Sequence, residues 1–275
     1  MGRYFIHLAY NGANYHGWQT QLVATKGERM VIEQPELPTV QETLEKALST
    51  LLRQPIAVVG CGRTDTGVHA SDFYAHFNVD TLDVDKSIGS CDNVSTYQRI
   101  NISTLVFKLN SLLPPDIVIY DIFPVADNAH ARFDATARTY QYHVSDRRLP
   151  FRQGQYCRIY YKPDIDLMNE AARVLMEYED FTSFAKLHTQ VKTNICHLTR
   201  ADWTEEDGGW VFTIRSNRFL RNMVRSVTGT LLDVGRGKLS IDGLREIIER
   251  KDRCAAGVSM PACGLFLTKV EYPYL

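Results

Sequence analysis

The chain has no apolar run approaching the ~18 residues of a membrane-spanning helix, and it has no C-x-x-C pair. Its six cysteines, Cys61, Cys91, Cys157, Cys196, Cys254 and Cys263, are scattered. That spacing argues against both a zinc site and a disulfide framework. Neither sign of charge is in excess, because 31 basic residues face 32 acidic ones, so net charge selects neither nucleic acid nor a membrane as partner. The opening MGRYFIHLAYNG has no basic stretch leading into an apolar core, so no secretory signal is expected. Ile6 stands where N-myristoylation wants serine or threonine. There is no H-E-x-x-H and no Ser-His-Asp pattern. Gly235-Arg236-Gly237-Lys238 has neither the spacing nor the Ser/Thr of a phosphate-binding P-loop. The expectation is a reduced, cytosolic protein whose cysteines are structural.

With 275 residues, the chain can bury one large core or two modest ones. Runs rich in β-branched and aromatic residues predict strands over Arg3 to Tyr10, Ile56 to Val59, Phe73 to Val79, Ile117 to Phe123, Thr139 to Val144, Gly209 to Ser216 and Gly264 to Tyr272. Helical patterns intervene. Thr39-Val40-Gln41-Glu42 reads as a capping box, and behind it Val40, Leu44, Ala47, Leu48 and Leu51 form one apolar stripe. A helix over Asp166 to Tyr178 is expected to bury Leu167, Ala171, Val174, Leu175 and Tyr178. Another over Ser240 to Arg250 is expected to bury Ile241, Leu244, Ile247 and Ile248. Leu113-Pro114-Pro115 stops a helix and feeds a strand. Strands and helices mix without strict alternation, which predicts an α+β architecture. Phe123 to Asn128 reads as a boundary, giving halves 1–126 and 127–275. Gln21 to Pro38 and Thr81 to about Gln98 look like loop insertions.

GCGRTDTGVHA, residues 60 to 70, carries the chemistry. Asp65-Thr66-Gly67 spells an aspartic-protease signature, but that reaction needs two aspartates about 3 Å apart sharing a proton. No second D-[ST]-G exists in the chain, and the neighbouring Arg63 would hold a carboxylate ionised. A plain glycine turn capped by Asp65 is the simpler alternative. Against it stands the length of the stretch, which interleaves glycines with Arg63, Asp65 and His69 as a loop exposing a carboxylate would.

This motif resembles the active-site signature of the TruA family of tRNA pseudouridine synthases, and the resemblance continues in order along most of the chain. Tyr10-Asn11-Gly12 with Tyr15-His16-Gly17-Trp18-Gln19 precedes it, as does Val40-Gln41-Glu42 with Leu44-Glu45-Lys46-Ala47-Leu48. Leu109-Asn110, Leu113-Pro114 and Asp116-Ile117 follow. Then come His130-Ala131-Arg132-Phe133-Asp134-Ala135, Arg138-Thr139-Tyr140-Gln141-Tyr142, and Asp180-Phe181-Thr182-Ser183-Phe184. Asn217, Phe219, Met223-Val224-Arg225 and Gly229 lead to a closing Gly264-Leu265-Phe266-Leu267. Thr66 stands where alanine is more usual, and Arg221-Asn222 where histidines are often found.

The resemblance implies two RRM-like halves joined in a continuous mixed sheet with the active cleft across it. Residues 1–126 would carry the aspartate loop, and 127–275 the tyrosine and arginine. It implies Asp65 as the nucleophile, Tyr140 as the ring stacked on an extruded uracil, and Arg225 as the cation paired with the carboxylate. Whether Asp65 attacks C6 or C1′, or assists elimination at C2′, stays open. Arg63, Tyr140, Arg132, Arg138, Asn217, Arg218 and Arg221 are the implied substrate contacts; His69 and His16 are weaker candidates. The implied partners are tRNA, at uridines 38 to 40 of the anticodon stem-loop, and a second copy of the chain, with no membrane. No metal or organic cofactor is implied.

Two readings of the residues themselves bear on this. Tyr140 and Tyr142 point to one face of a strand, so one can be core and the other catalytic. Around Arg225, Leu220, Met223, Val224, Val227 and Leu231 fall on one helical arc, with Arg218, Arg221 and Arg225 opposite. The pattern predicts a helix that buries one face and presents three guanidinium groups on the other. Arginine is also concentrated locally: six between His130 and Arg158 with no lysine or glutamate, and four between Arg215 and Arg225 with no acid. Such stretches suit bidentate phosphate contacts. A non-catalytic RNA-binding protein on the same scaffold is the rival reading, and Asp65 is what separates the two.

Overall fold

The computed structural model describes residues 2–20, 22–25, 28–31, 37–80, 101–186, 193–206 and 208–275, with the side chains of 22–25 and 28–31 excepted. The chain forms two compact units, Met1–Ala135 and Thr136–Leu275. Both combine antiparallel strands with helices, the α+β class expected.

In the first unit, β1 (Gly2–Tyr10) is followed by a short hairpin of β2 (Leu22–Thr25) and β3 (Glu28–Val31), then α1 (Val40–Leu52), β4 (Val59–Gly60), β5 (His69–Val79), α2 (Ile102–Leu112) and β6 (Ile117–Val125). β1 is central, antiparallel to β5 on one side and β6 on the other, with Phe5 opposite both His76 and Phe123. Tyr4, Phe5, Ile6, Leu8 and Tyr10 are all buried, which is why this strand reads as an almost unbroken apolar run. The hairpin lies within the Gln21–Pro38 insertion. The Thr81–Gln98 insertion lies outside the described residues.

Thr39 caps α1, its hydroxyl accepting the Glu42 N–H at 3.1 Å. Val40, Leu44, Ala47 and Leu48 are buried as expected, while Leu51 is half-buried. The strand expected over Ile56 to Val59 shrinks to β4, which pairs with β5 only at Val59 and Gly60. The helix explains the difference. Ser49 Oγ accepts the Ile56 N–H at 2.9 Å, Glu45 Oε1 accepts the Val58 N–H at 2.8 Å, and Gln41 Nε2 donates to the Val58 carbonyl at 3.1 Å. Backbone groups that a strand would pair are taken by α1 side chains.

In the second unit the order is β7 (Ala137–Ser145), β8 (Cys157–Arg158), α3 (Ile165–Leu175), β9 (Leu198–Glu206), β10 (Gly209–Ser216), α4 (Met223–Gly235), α5 (Ile241–Arg250) and β11 (Leu265–Glu271). Its sheet runs β11-β7-β10-β9, antiparallel throughout, with β8 parallel to the end of β7. α3 packs on β9 and α4. It ends at Leu175 rather than Tyr178, and it buries Met168 where Leu167 was expected. α5 starts at a Ser240 cap and buries only Leu244 and Ile248 of its four expected positions.

The helix expected to carry three arginines is corrected. α4 begins at Met223, after Asn222 in the left-handed conformation at φ 68°. Arg218 and Arg221 therefore lie in the connection before it. From Met223 to Gly235 only Arg225 and Asp233 escape burial, so the helix is a core element rather than a half-solvated one. Among the described residues no helix is long and apolar enough to cross a membrane.

Candidate active site

Asp65 lies half-buried in the connection from β4 to β5, and the loop around it is held by the segment that follows β1. Trp18 donates its backbone N–H to the Thr64 carbonyl at 3.3 Å, and Tyr15 accepts the Gly67 N–H at 3.4 Å. Both flanks of the aspartate are thus tied to residues 15–18. The approach is so close that a Cβ at Gly17 would stand 2.3 Å from the Thr64 oxygen, and one at Gly12 would stand 2.0 Å from the Val68 oxygen. Gly17 also has φ +79°, a conformation that glycine adopts readily and other residues rarely.

Side chains complete the mounting. Tyr10 and Thr64 share a hydroxyl hydrogen bond of 2.9 Å, and Thr66 Oγ1 lies 3.2 Å from His16 Nδ1. His69, almost fully buried, accepts the Gly12 N–H on Nδ1 at 3.1 Å, so its proton belongs on Nε2. Trp18 packs against Phe73 with ring centroids 4.1 Å apart. Tyr15 donates its hydroxyl to Asp116 at 2.6 Å, and burial, then that hydrogen bond, push its pKa upward. Arg63 is exposed on the same loop. The scattered motifs around Tyr10, Gly17, Asp65 and Asp116 therefore converge on one loop of this unit.

Arg132 belongs to the first unit and sits in an exposed turn, 5.9 Å above the Phe133 ring. His130 holds that turn by accepting the N–H groups of Arg132 and Phe133 at 3.1 and 3.3 Å. Beneath it, buried His76 accepts the Ala131 N–H at 3.1 Å. Burial, then the neighbouring His130, lower the His76 pKa to about 4, so it is neutral near pH 7.

The other candidates belong to the second unit. Tyr140 on β7 is half-exposed and meets Phe219 edge-on at 5.1 Å. Tyr142 is fully buried, donates its hydroxyl to the Pro261 carbonyl at 2.6 Å, and has its pKa raised chiefly by burial. Of the two tyrosines, Tyr142 is the core residue. Arg225 stands in the first turn of α4, its Nε donating to the Met260 carbonyl at 2.5 Å.

Arg138 donates to the Asn217 carbonyl at 3.0 Å, joining two of the candidates. The Asn217 side-chain oxygen accepts the His197 N–H at 2.9 Å. Half-buried Arg218 counters the rise that burial imposes on the Cys196 thiol. Arg221 is exposed, and its carbonyl accepts the Lys186 N–H at 3.0 Å.

Two participants were given no role from the sequence, although Phe219 was among the motif residues quoted there. Phe219 buttresses Tyr140, and Met260 holds Arg225; the aromatic four residues before Met223 was a signal for the first, while nothing local marks Met260. Other motif residues prove to be scaffold. Asn110 exchanges both its amide groups with the Ile119 backbone, at 2.8 and 2.7 Å. Asp180 accepts the Thr182 hydroxyl at 2.6 Å and pairs with Lys251 at 2.9 Å. Among the described residues no three His, Cys, Asp or Glu side chains converge as metal ligands.

Comparison with known proteins agrees with these motifs. Residues 171–273 match the family model described as tRNA pseudouridine synthase. The chain is 53% identical to tRNA pseudouridine synthase A of Bacteroides thetaiotaomicron, over 99% of this chain and 91% of that protein. It is 50% identical to tRNA pseudouridine synthase A of Parabacteroides distasonis, over 99% of this chain and 97% of that protein. Identity is 35% to the protein of that name from Clostridium acetobutylicum, over 97% and 98%. With identity this high over nearly the whole chain, and with both units of the expected α+β class, the chain belongs to the tRNA pseudouridine synthase A family of isomerases.

Proposed function

We propose that this protein converts uridine to pseudouridine in the anticodon stem-loop of tRNA, at positions 38, 39 and 40, with Asp65 as the nucleophile. In the reaction the N1–C1′ bond breaks, the base turns, a C5–C1′ bond forms, and the hydrogen at C5 is exchanged for one at N1. The change is redox-neutral and atom-balanced, so it calls for no co-reactant. Tyr140 stacks on the extruded uracil, and its hydroxyl serves proton transfer at C5. Arg225 is the cation that pairs with the Asp65 carboxylate and balances its charge. Arg63 engages a phosphate or fills the space the uridine leaves, while Arg132, Arg138, Asn217, Arg218 and Arg221 contact the RNA. The protein works in the cytoplasm as a homodimer whose two clefts are each lined by both subunits.

One observation carries the reading. The half-buried Asp65 is flanked on both sides by backbone hydrogen bonds to residues 15–18, across a gap only glycine at position 17 allows. A carboxylate needed only to cap a turn has no use for such a mounting. Preorganisation of a reacting group does.

The test is site mapping of pseudouridine on unmodified tRNA transcripts carrying uridine at 38, 39 or 40 singly. Product at each of these positions, and none in transcripts with cytidine at all three, is expected. Product confined to another arm of the tRNA would overturn the assigned target.

A further inference from the structure

The connection from α5 to β11 lies over α4 as a strap tied down at successive residues. Gly257 donates its N–H to Thr230 Oγ1 at 3.0 Å. The Val258 carbonyl meets α4 where Gly229 has no side chain, since a Cβ there would stand 2.0 Å from that oxygen. Ser259 Oγ takes two donors, Asn222 Nδ2 at 2.5 Å and Arg253 at 2.7 Å, which fills both lone pairs of a hydroxyl oxygen. Met260 donates its N–H to the Arg225 carbonyl at 3.1 Å and accepts the Arg225 Nε–H at 2.5 Å. The Pro261 carbonyl accepts the Tyr142 hydroxyl at 2.6 Å.

The strap therefore runs from the helix that carries Arg225 to the strand that carries Tyr140. A guanidinium is planar, so a bond on Nε sets the plane in which its two terminal nitrogens point. The donor is on Arg225, but its aim depends on where the Met260 carbonyl sits. That position is set by the tethers on either side, Ser259 and Pro261. Asn222 explains itself here. It occupies the N-cap position of α4 in the left-handed conformation, yet it makes no side-chain cap hydrogen bond; its amide goes to Ser259 instead.

We infer that Ser259, clasped by Asn222 and Arg253, is a positioning residue that aims the Arg225 guanidinium through the Met260 carbonyl. The inference rests on the role proposed above for Arg225. Ser259 is half-buried, so water can meet the donors its loss would strand, and the fold survives while the strap loosens. Small misplacement of a reacting group costs roughly 10–100-fold in rate.

The test is single-turnover and steady-state kinetics on tRNA for Ser259→Ala, Ser259→Thr and Asn222→Gly, each also combined with Arg225→Ala. Asn222→Gly keeps the left-handed backbone while removing the amide. Ser259→Ala and Asn222→Gly are expected to lower kcat roughly tenfold or more, with KM for tRNA within about twofold, and Ser259→Thr to restore the rate. In the Arg225→Ala background neither change should lower the rate further. Wild-type kcat in both Ser259→Ala and Asn222→Gly, or an equal loss with and without Arg225, overturns the inference. Full activity in Arg225→Ala alone overturns the role of Arg225 itself, and this inference with it.

Discussion

Gly17 faces the Thr64 carbonyl so closely that a Cβ on residue 17 would stand 2.3 Å from the oxygen. Thr64 adjoins Asp65, and the same oxygen accepts the Trp18 N–H. The contact fixes where the aspartate's backbone lies, and it requires glycine twice over, for space and for φ +79°.

Gly17→Ala should therefore push the Asp65 loop outward. A stability loss of about 1–3 kcal/mol is expected in chemical denaturation, with kcat falling more than tRNA affinity. A variant that keeps both stability and kcat would show that the loop does not depend on this contact.

Much of this was legible beforehand, and for physical reasons. β1 is buried on both faces, so its apolar run is nearly continuous. Thr39 announced its helix because capping is local chemistry. What stayed hidden depended on distant partners. β9 exposes most of its length and buries only Ala201 and Trp203, so LTRADWTEE carries little strand signal. Ile56 to Val58 looked like a strand because nothing local shows that Gln41, Glu45 and Ser49 claim its backbone. The arginines before α4 looked helical because their spacing fits, but Asn222 in the left-handed conformation ends that run. At the site, the aspartate loop was visible in its glycines, whereas the Met260 carbonyl that holds Arg225 is a backbone atom 35 residues away.

Tyr140 and Tyr142 should separate function from stability. Tyr140→Ala is expected to abolish turnover while unfolding within about 1 kcal/mol of wild type, as suits a half-exposed side chain. Tyr142→Phe strands the Pro261 carbonyl and should cost about 1–2 kcal/mol in denaturation, with kcat lowered in part by the lost strap tether but turnover retained. The reverse pattern would exchange their roles.

His76 should make stability depend on mildly acidic pH. Its folded pKa of about 4 lies below the ordinary 6.5, so between these values the unfolded chain binds a proton that the folded one refuses. Stability is then full above about pH 6.5 and falls as pH drops toward 4. His76→Asn keeps an acceptor for the Ala131 N–H and removes the titration. Its Tm is expected to change less than that of wild type across this window. Parallel curves would mean that other groups set the slope.

Arg221, exposed before α4, tests the basic surface. If it meets a tRNA phosphate, Arg221→Ala weakens binding across tRNA sequences and reduces the slope of log K against log salt by roughly 1. An unchanged slope removes it from the interface.

The central claim is that Asp65 acts chemically rather than structurally. The most direct measurement is tritium release from tRNA labelled at uridine C5, with wild type beside Asp65→Asn and tRNA affinity measured in parallel. Release by wild type, and none by a variant that still binds tRNA within a few-fold, is the predicted result. Release by Asp65→Asn at a rate near wild type would contradict the account.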